Sequence, residues 1–158
     1  MIFVTVGSVL PFDRLVCAVD DWAGSRGRVD VFAQIGQTKN QPRHIGWQRH
    51  LHPSEFRRRF EAADLVVGHA GMGTILMALE LKKPLLVMPR RGALRETRTD
   101  HQMATAQRFS ADRGIAVAYE AADLHERLDH AEEIGASFGA DSDTAPRLIE
   151  EIRYFIKS

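Results

Sequence analysis

Asp64-Leu65-Val66-Val67-Gly68-His69-Ala70-Gly71-Met72-Gly73-Thr74 carries a short buried strand directly into a Gly-x-Gly turn that opens a helix. Glycines at such a turn let the main chain approach a ligand closely, and the free N–H groups of the first helical turn point at it. The helix dipole favours a diphosphate there, and the Thr74 hydroxyl, in the same turn, is in place to donate to a phosphate oxygen. No Gly-Lys-Ser/Thr follows, so this is not a Walker A loop. Leu76 stands where the third glycine of the dinucleotide fingerprint would be. Taken alone, the turn also fits a tight strand–helix connection bound to nothing.

The flanking sequence repeats this alternation. Apolar runs at 2–6, 29–35, 84–88 and 115–118 read as strands, and 45–51 as a shorter one. Phe12, Leu15, Val16, Val19 and Trp22 recur at helical spacing, and helices are expected at about 53–63, 73–81, 99–113 and 122–133. Residues 135–143 read as a small-residue break. A last amphipathic helix over 144–157 follows, its stripe formed by Ala145, Leu148, Ile149, Ile152, Phe155 and Ile156. The pattern predicts an α/β fold with a doubly wound, mostly parallel sheet, in one domain over 1–158. Right-handed crossovers then bring every strand's C-terminal end to one edge, where such sheets bind ligands.

Composition narrows the function. In 158 residues, 44% are hydrophobic and 27% charged, and the formal net charge is zero, which gives no basic field for nucleic acid. Arg57-Arg58-Arg59 lies between Phe56 and Phe60 and reads as a solvated helix face. The single cysteine, Cys17, excludes an intramolecular disulfide and a cysteine-rich metal site. His44, His50, His52, His125 and His130 show no metal-ligand spacing, so no metal is expected. There is no apolar run long enough to span a membrane and no signal-peptide pattern at 1–6, so the cytoplasm is the expected compartment.

Two further segments open on the ligand edge. Gly7-Ser8 ends the first strand and offers main chain to a phosphate. The polar stretch after the 84–88 strand holds Arg90, Arg91, Glu96, Asp100, His101 and Gln102. Long polar loops at strand ends tend to carry function. Asp100 is expected to cap the helix behind it and so aim His101 and Gln102 at the ligand. Arginine suits a carboxylate, so Arg90 and Arg91 suggest an acidic sugar. His69, where strand meets turn, is either a ligand-site or a core residue. No Ser/His/Asp, Cys/His or paired-carboxylate arrangement marks a self-contained catalytic centre.

The segments Ala63 to Ile75, Lys83 to Arg91 and Asp100-His101-Gln102, in this order, resemble the C-terminal domain of glycosyltransferase family 28. Phe3 to Ser8 and Gln34-Ile35-Gly36 are similar to it too. The likeness runs over about 1–120 and is nearest to stand-alone versions. These include the PssE-like subunits of exopolysaccharide biosynthesis and the cytosolic subunit of the transferase that adds the second N-acetylglucosamine to dolichol. It implies the Rossmann-like C-terminal half of a GT-B enzyme, with a UDP-sugar as donor substrate and no cofactor. Gly7 and Ser8 would lie near the diphosphate, and His69, Gly71, Met72, Gly73 and Thr74 around the nucleotide-sugar. Asp100, His101 and Gln102 would lie near the sugar. It further implies a membrane-anchored, PssD-like partner subunit that holds a lipid-linked saccharide acceptor and supplies the catalytic base. The chain would then be inactive alone and peripheral to the membrane. UDP-glucuronate is the first expectation for the donor and UDP-N-acetylglucosamine the second. A non-catalytic, regulatory nucleotide-sugar-binding module is the alternative. One position departs from the family: Met77 replaces the acidic residue that holds the ribose, with Glu80 or Glu96 as possible substitutes.

Overall fold

The computed structural model describes residues 1–8, 10–110, 115–139 and 149–154. The strands are Ile2–Thr5 (β1), Val31–Gln34 (β2), Gly46–Gln48 (β3), Leu65–His69 (β4), Leu85–Met88 (β5) and Ile115–Val117 (β6). They form one sheet in the order β3-β2-β1-β4-β5-β6, and every neighbouring pair is parallel. The helices are Asp13–Arg26 (α1), Pro53–Ala62 (α2), Met72–Glu80 (α3), His101–Phe109 (α4), Ala121–Asp129 (α5) and Ala131–Gly139 (α6), with a 3-10 turn at Gly92–Leu94. The chain winds outward from β1 to β3, then returns to lay β4 on the free side of β1. The crevice of such a sheet opens where that reversal occurs, beyond the ends of β1 and β4, where Thr5 lies opposite Gly68.

Alternation along these strands divides the core between the two faces. Ile2, Val4, Leu65 and Val67 pack with Leu15, Val19 and Trp22 of α1 and with Leu124 of α5. Phe3 and Val66 pack on the other face with Phe60 of α2, Ile75 of α3 and Phe109 of α4. Phe3 meets the ring of Phe56 edge-on, with centroids 5.3 Å apart. Each large side chain buried in this way contributes about 1.5–3 kcal/mol. The arginine run of α2 stays at the surface side, where Arg57 pairs with Glu61, and Arg58 and Arg59 pair with Glu55. Among the described residues no helix is long and apolar enough to cross a membrane.

Several boundaries differ from the sequence expectation. Val29 is 96% exposed and lies outside β2, because Arg28 and Asp30 pair across it at 2.8 Å. The helix expected over 122–133 is two, divided at His130, and the expected break at 135–143 begins inside α6. Burial of Ile134 against the sheet overrides the weak helix propensity of Gly135. Asp100 does not cap α4; its carboxylate accepts from the main-chain N–H of Gly92 at 2.9 Å. Of the expected terminal helix, residues 149–154 are helical. Ile152 is buried and Ile149 partly so, both against the α3–α4 face of this domain. Ala145, Leu148, Phe155 and Ile156 lie outside the described residues.

Candidate functional site

A cavity of about 710 Å³ opens at the reversal point, beyond β1, β4 and β5. Gly7 and Ser8 line it from the end of β1, and His69, Gly71, Met72, Gly73 and Thr74 from the β4–α3 turn. Arg90, Glu96 and Gln102 reach it from the segment after β5. Arg91, Asp100 and His101 are not on its wall. His101 lines a separate groove between α4 and residues 150–154.

Helix α3 begins without a side-chain cap and with no acidic residue in its first turn. Its first main-chain N–H groups therefore keep their hydrogen-bonding capacity and their partial positive charge for the cavity. Gly73 lies open: an added Cβ would meet nothing within 4 Å. Gly71 and Gly7 are small for another reason. A Cβ on Gly71 would come 2.3 Å from Cε1 of His69, and one on Gly7 would come 2.7 Å from its Nε2. Gly7 also holds φ at +78°, in the left-handed region that glycine enters without strain. The two glycines form the walls that seat the imidazole.

Gly71→Ala is accordingly expected to cost about 1–3 kcal/mol through overpacking. That cost should shrink when His69→Ala is made in the same chain. Denaturant melts of the two single variants, the double variant and the parent measure the coupling. A Gly71→Ala chain as stable as its parent would be incompatible with this seating.

His69 donates or accepts at both ring nitrogens, with Nε2 3.2 Å from Thr74 Oγ1 and Nδ1 3.1 Å from Gln102 Nε2. Burial, with the nearby Arg90 charge adding to it, pushes its pKa down to about 4. The ring is neutral at physiological pH. Its nitrogens are both engaged, so it has no free lone pair with which to take a substrate proton.

The two arginines behave differently from expectation. Arg90 is 4% exposed, and its guanidinium donates to the carbonyls of Val6, Pro11 (3.1 Å) and Glu96 (2.9 Å) while lying over the Phe12 ring. It ties the loop after β1 to the loop after β5. Arg91 turns away to Glu120 at 2.7 Å and to the Tyr119 carbonyl. Glu96 is held by Arg14, which donates from Nε and Nη2 at 3.0 and 2.9 Å, and it accepts from the Arg91 N–H. Glu80 pairs with Arg153. Both carboxylates offered as ribose acceptors are thus engaged within the chain, and Met77 stands on the cavity wall. Arg98 is an exposed cation on that wall.

A family model, glycosyltransferase family 28 C-terminal domain, matches residues 1–136. The chain belongs to the glycosyltransferase family 28 C-terminal domain family. Solved structures share this fold at low identity. A glycotransferase of kitacinnamycin has a TM-score of 0.62 at 18% identity, over 97% of this chain and 39% of that one. ALG13 has a TM-score of 0.59 at 20% identity, over 83% and 84% of the two chains. MurG of Acinetobacter baumannii has a TM-score of 0.58 at 15% identity, over 96% and 49%. The family-28 chain therefore spans about two fifths of the first, most of the second and half of the third. No curated protein matches it as a sequence relative.

Three residues that shape this family-28 cavity escape the sequence reading. Arg14 carries no motif and sits in a helix far along the chain from Glu96. Arg98 is one polar residue among several. Gln34, whose Nε2 donates to the Arg49 and Gly7 carbonyls and whose Oε1 accepts from Thr5, belongs to the Gln34-Ile35-Gly36 segment. That likeness was the available signal for it.

Proposed function

We propose that this chain binds a UDP-sugar in the cavity beyond β1 and β4 and forms the donor side of a glycosyl transfer. The observation that carries the reading is the uncapped start of α3, with the open main chain of Gly73 and with Thr74 on the cavity wall. Such a terminus suits a diphosphate, and it would stabilise the departing UDP as the glycosidic bond breaks. The family membership supports the same ligand class.

The cavity's own side chains argue that a base comes from elsewhere. His69 is neutral with both nitrogens occupied, and Glu96 is clamped by Arg14. The acceptor, a lipid-linked saccharide, and the base would then be supplied by a membrane-anchored subunit of the PssD type, with this chain cytoplasmic and peripheral. ALG13 is a structural neighbour of similar extent, with 84% of its chain covered. For the sugar, Arg98 on the cavity wall favours UDP-glucuronate, since Arg90 and Arg91 are engaged within the chain, and UDP-N-acetylglucosamine stands beside it.

Gly73→Val tests the site. A Cβ there meets no protein atom, so the fold should survive, while the branched side chain covers the α3 N–H groups. Calorimetry with UDP, UDP-glucuronate and UDP-N-acetylglucosamine should show heats for the parent and none for the variant, with melting temperatures alike. Undiminished UDP affinity in Gly73→Val would move the nucleotide out of this turn.

A further inference from the structure

We infer that Gln102 is a positioning residue that fixes the tautomer of His69 and thereby turns the Thr74 hydroxyl hydrogen toward the cavity. The inference deepens the proposed UDP-sugar site and rests on it for the identity of the ligand. Gln102 Oε1 accepts two main-chain N–H groups, from Ala70 at 3.2 Å and from Arg90 at 3.1 Å. These groups belong to the loops after β4 and β5. Only the carbonyl end of an amide can serve two donors, so the orientation of Gln102 is dictated by the backbone.

The amide nitrogen is left facing His69 Nδ1 at 3.1 Å. An N–H can be received there only by a lone pair, so Nδ1 is bare and the ring proton sits on Nε2. Burial keeps the ring neutral and holds it to this one form. Nε2–H then donates to Thr74 Oγ1 at 3.2 Å. With one lone pair occupied, Thr74 keeps its own hydrogen to give away, and among the described residues no other partner takes it. The hydroxyl lies in the first turn of α3 on the cavity wall, so this hydrogen joins the helix N–H groups as a donor to an anionic diphosphate oxygen. In the opposite tautomer Thr74 would donate back to His69 and present only lone pairs to the anion. One amide orientation thus decides whether the threonine attracts or repels the ligand.

The tautomer can be read in the ligand-free protein by long-range proton–nitrogen NMR on chain labelled with ¹⁵N-histidine. The expected result is an Nε2-protonated His69 in the parent. Gln102→Glu keeps an acceptor for the two main-chain N–H groups but replaces the donor to Nδ1 by a second acceptor. It should move the proton from Nε2 to Nδ1 and weaken UDP by roughly tenfold or more. Thr74→Val, which keeps the shape and removes the hydroxyl, should weaken UDP comparably, and Gln102→Glu should add little to it in the double variant. An Nδ1-protonated ring in the parent overturns the inference without reference to any ligand. Full UDP affinity in a folded Thr74→Val chain overturns the aiming role even if Gln102→Glu fails to fold. Absence of UDP binding to the parent would overturn the proposed function, and the hydroxyl's role with it, while the measured tautomer stood.

Discussion

Arg90→Met is expected to lower the unfolding free energy by about 3 kcal/mol or more, a large share of the 5–15 kcal/mol of a typical domain. The guanidinium serves three main-chain carbonyls that come from two loops, those of Val6 and Pro11 on one side and Glu96 on the other. Methionine fills much of the space over Phe12 but donates nothing. It would leave those carbonyls in a site that water reaches poorly, at about 1–3 kcal/mol for each one left unpaired. Burial draws the Arg90 pKa below its ordinary value, with the Glu96 charge opposing, so the site holds a cation that is costly to place and costly to remove. Arg90→Lys should fall between, since one ammonium cannot span three acceptors in a planar fork. Urea unfolding curves give the ranking. Should Arg90→Met melt with its parent and lose only the preference for an acidic donor, the arginine would be a sugar ligand and the clamp would be wrong.

That contrast shows which part of this site a sequence exposes. Leu65-Val66-Val67 and the run from Ile2 to Val6 are legible because a parallel strand covered on both faces must be apolar throughout. The Gly-x-Gly turn is legible because its small residues answer local demands of space. The site's position follows from the strand order, which the alternation of strands and helices constrains but does not fix. Charged side chains take their roles from partners far along the chain. Arg90 and Arg91 are neighbours of one type, yet one reaches Val6 and Pro11, 84 and 79 residues earlier, and the other reaches Glu120. Nothing local distinguishes them. Asp100 likewise reads as a cap from its place before a helix, and its carboxylate goes instead to Gly92, a contact set by how the 3-10 turn folds back. The glycines at Gly7 and Gly71 carry a similar lesson. Their need is for the imidazole between them as much as for any ligand, and for Gly7 that becomes visible only when β1 and β4 lie side by side.

Acid should destabilise this chain as pH falls from about 6.5 to about 4, and His69 should account for it. In the unfolded chain an imidazole protonates near its ordinary value of about 6.5. In the fold, burial and the Arg90 charge hold His69 down to about 4. Between those two values the unfolded state binds a proton that the folded state refuses, so stability falls as pH falls through this window. The loss accrues at about 1.4 kcal/mol per pH unit and reaches about 3 kcal/mol near pH 4. Above pH 6.5 both states are neutral at this residue and the effect vanishes; below about 4 both are charged and it grows no further. Asp30 and Asp64 have pKa values lowered by their partners, so their contributions fade only at still lower pH. The exposed His130, raised by its bond to the Glu126 carbonyl, acts with the opposite sign, favouring the fold at low pH and losing that as pH rises. Subtracting the unfolding curve of His69→Gln from that of the parent removes these shared terms. The difference should be flat above pH 6.5 and slope downward from there to about pH 4. Burial is the physical reason for the refusal, with the Arg90 charge adding to it, and a second ring proton on Nδ1 would also face an amide N–H already fixed by the Ala70 and Arg90 main chain. A difference curve that stayed level through the whole window would show that the folded chain accepts that proton, and the neutral-ring account of the site would fall with it.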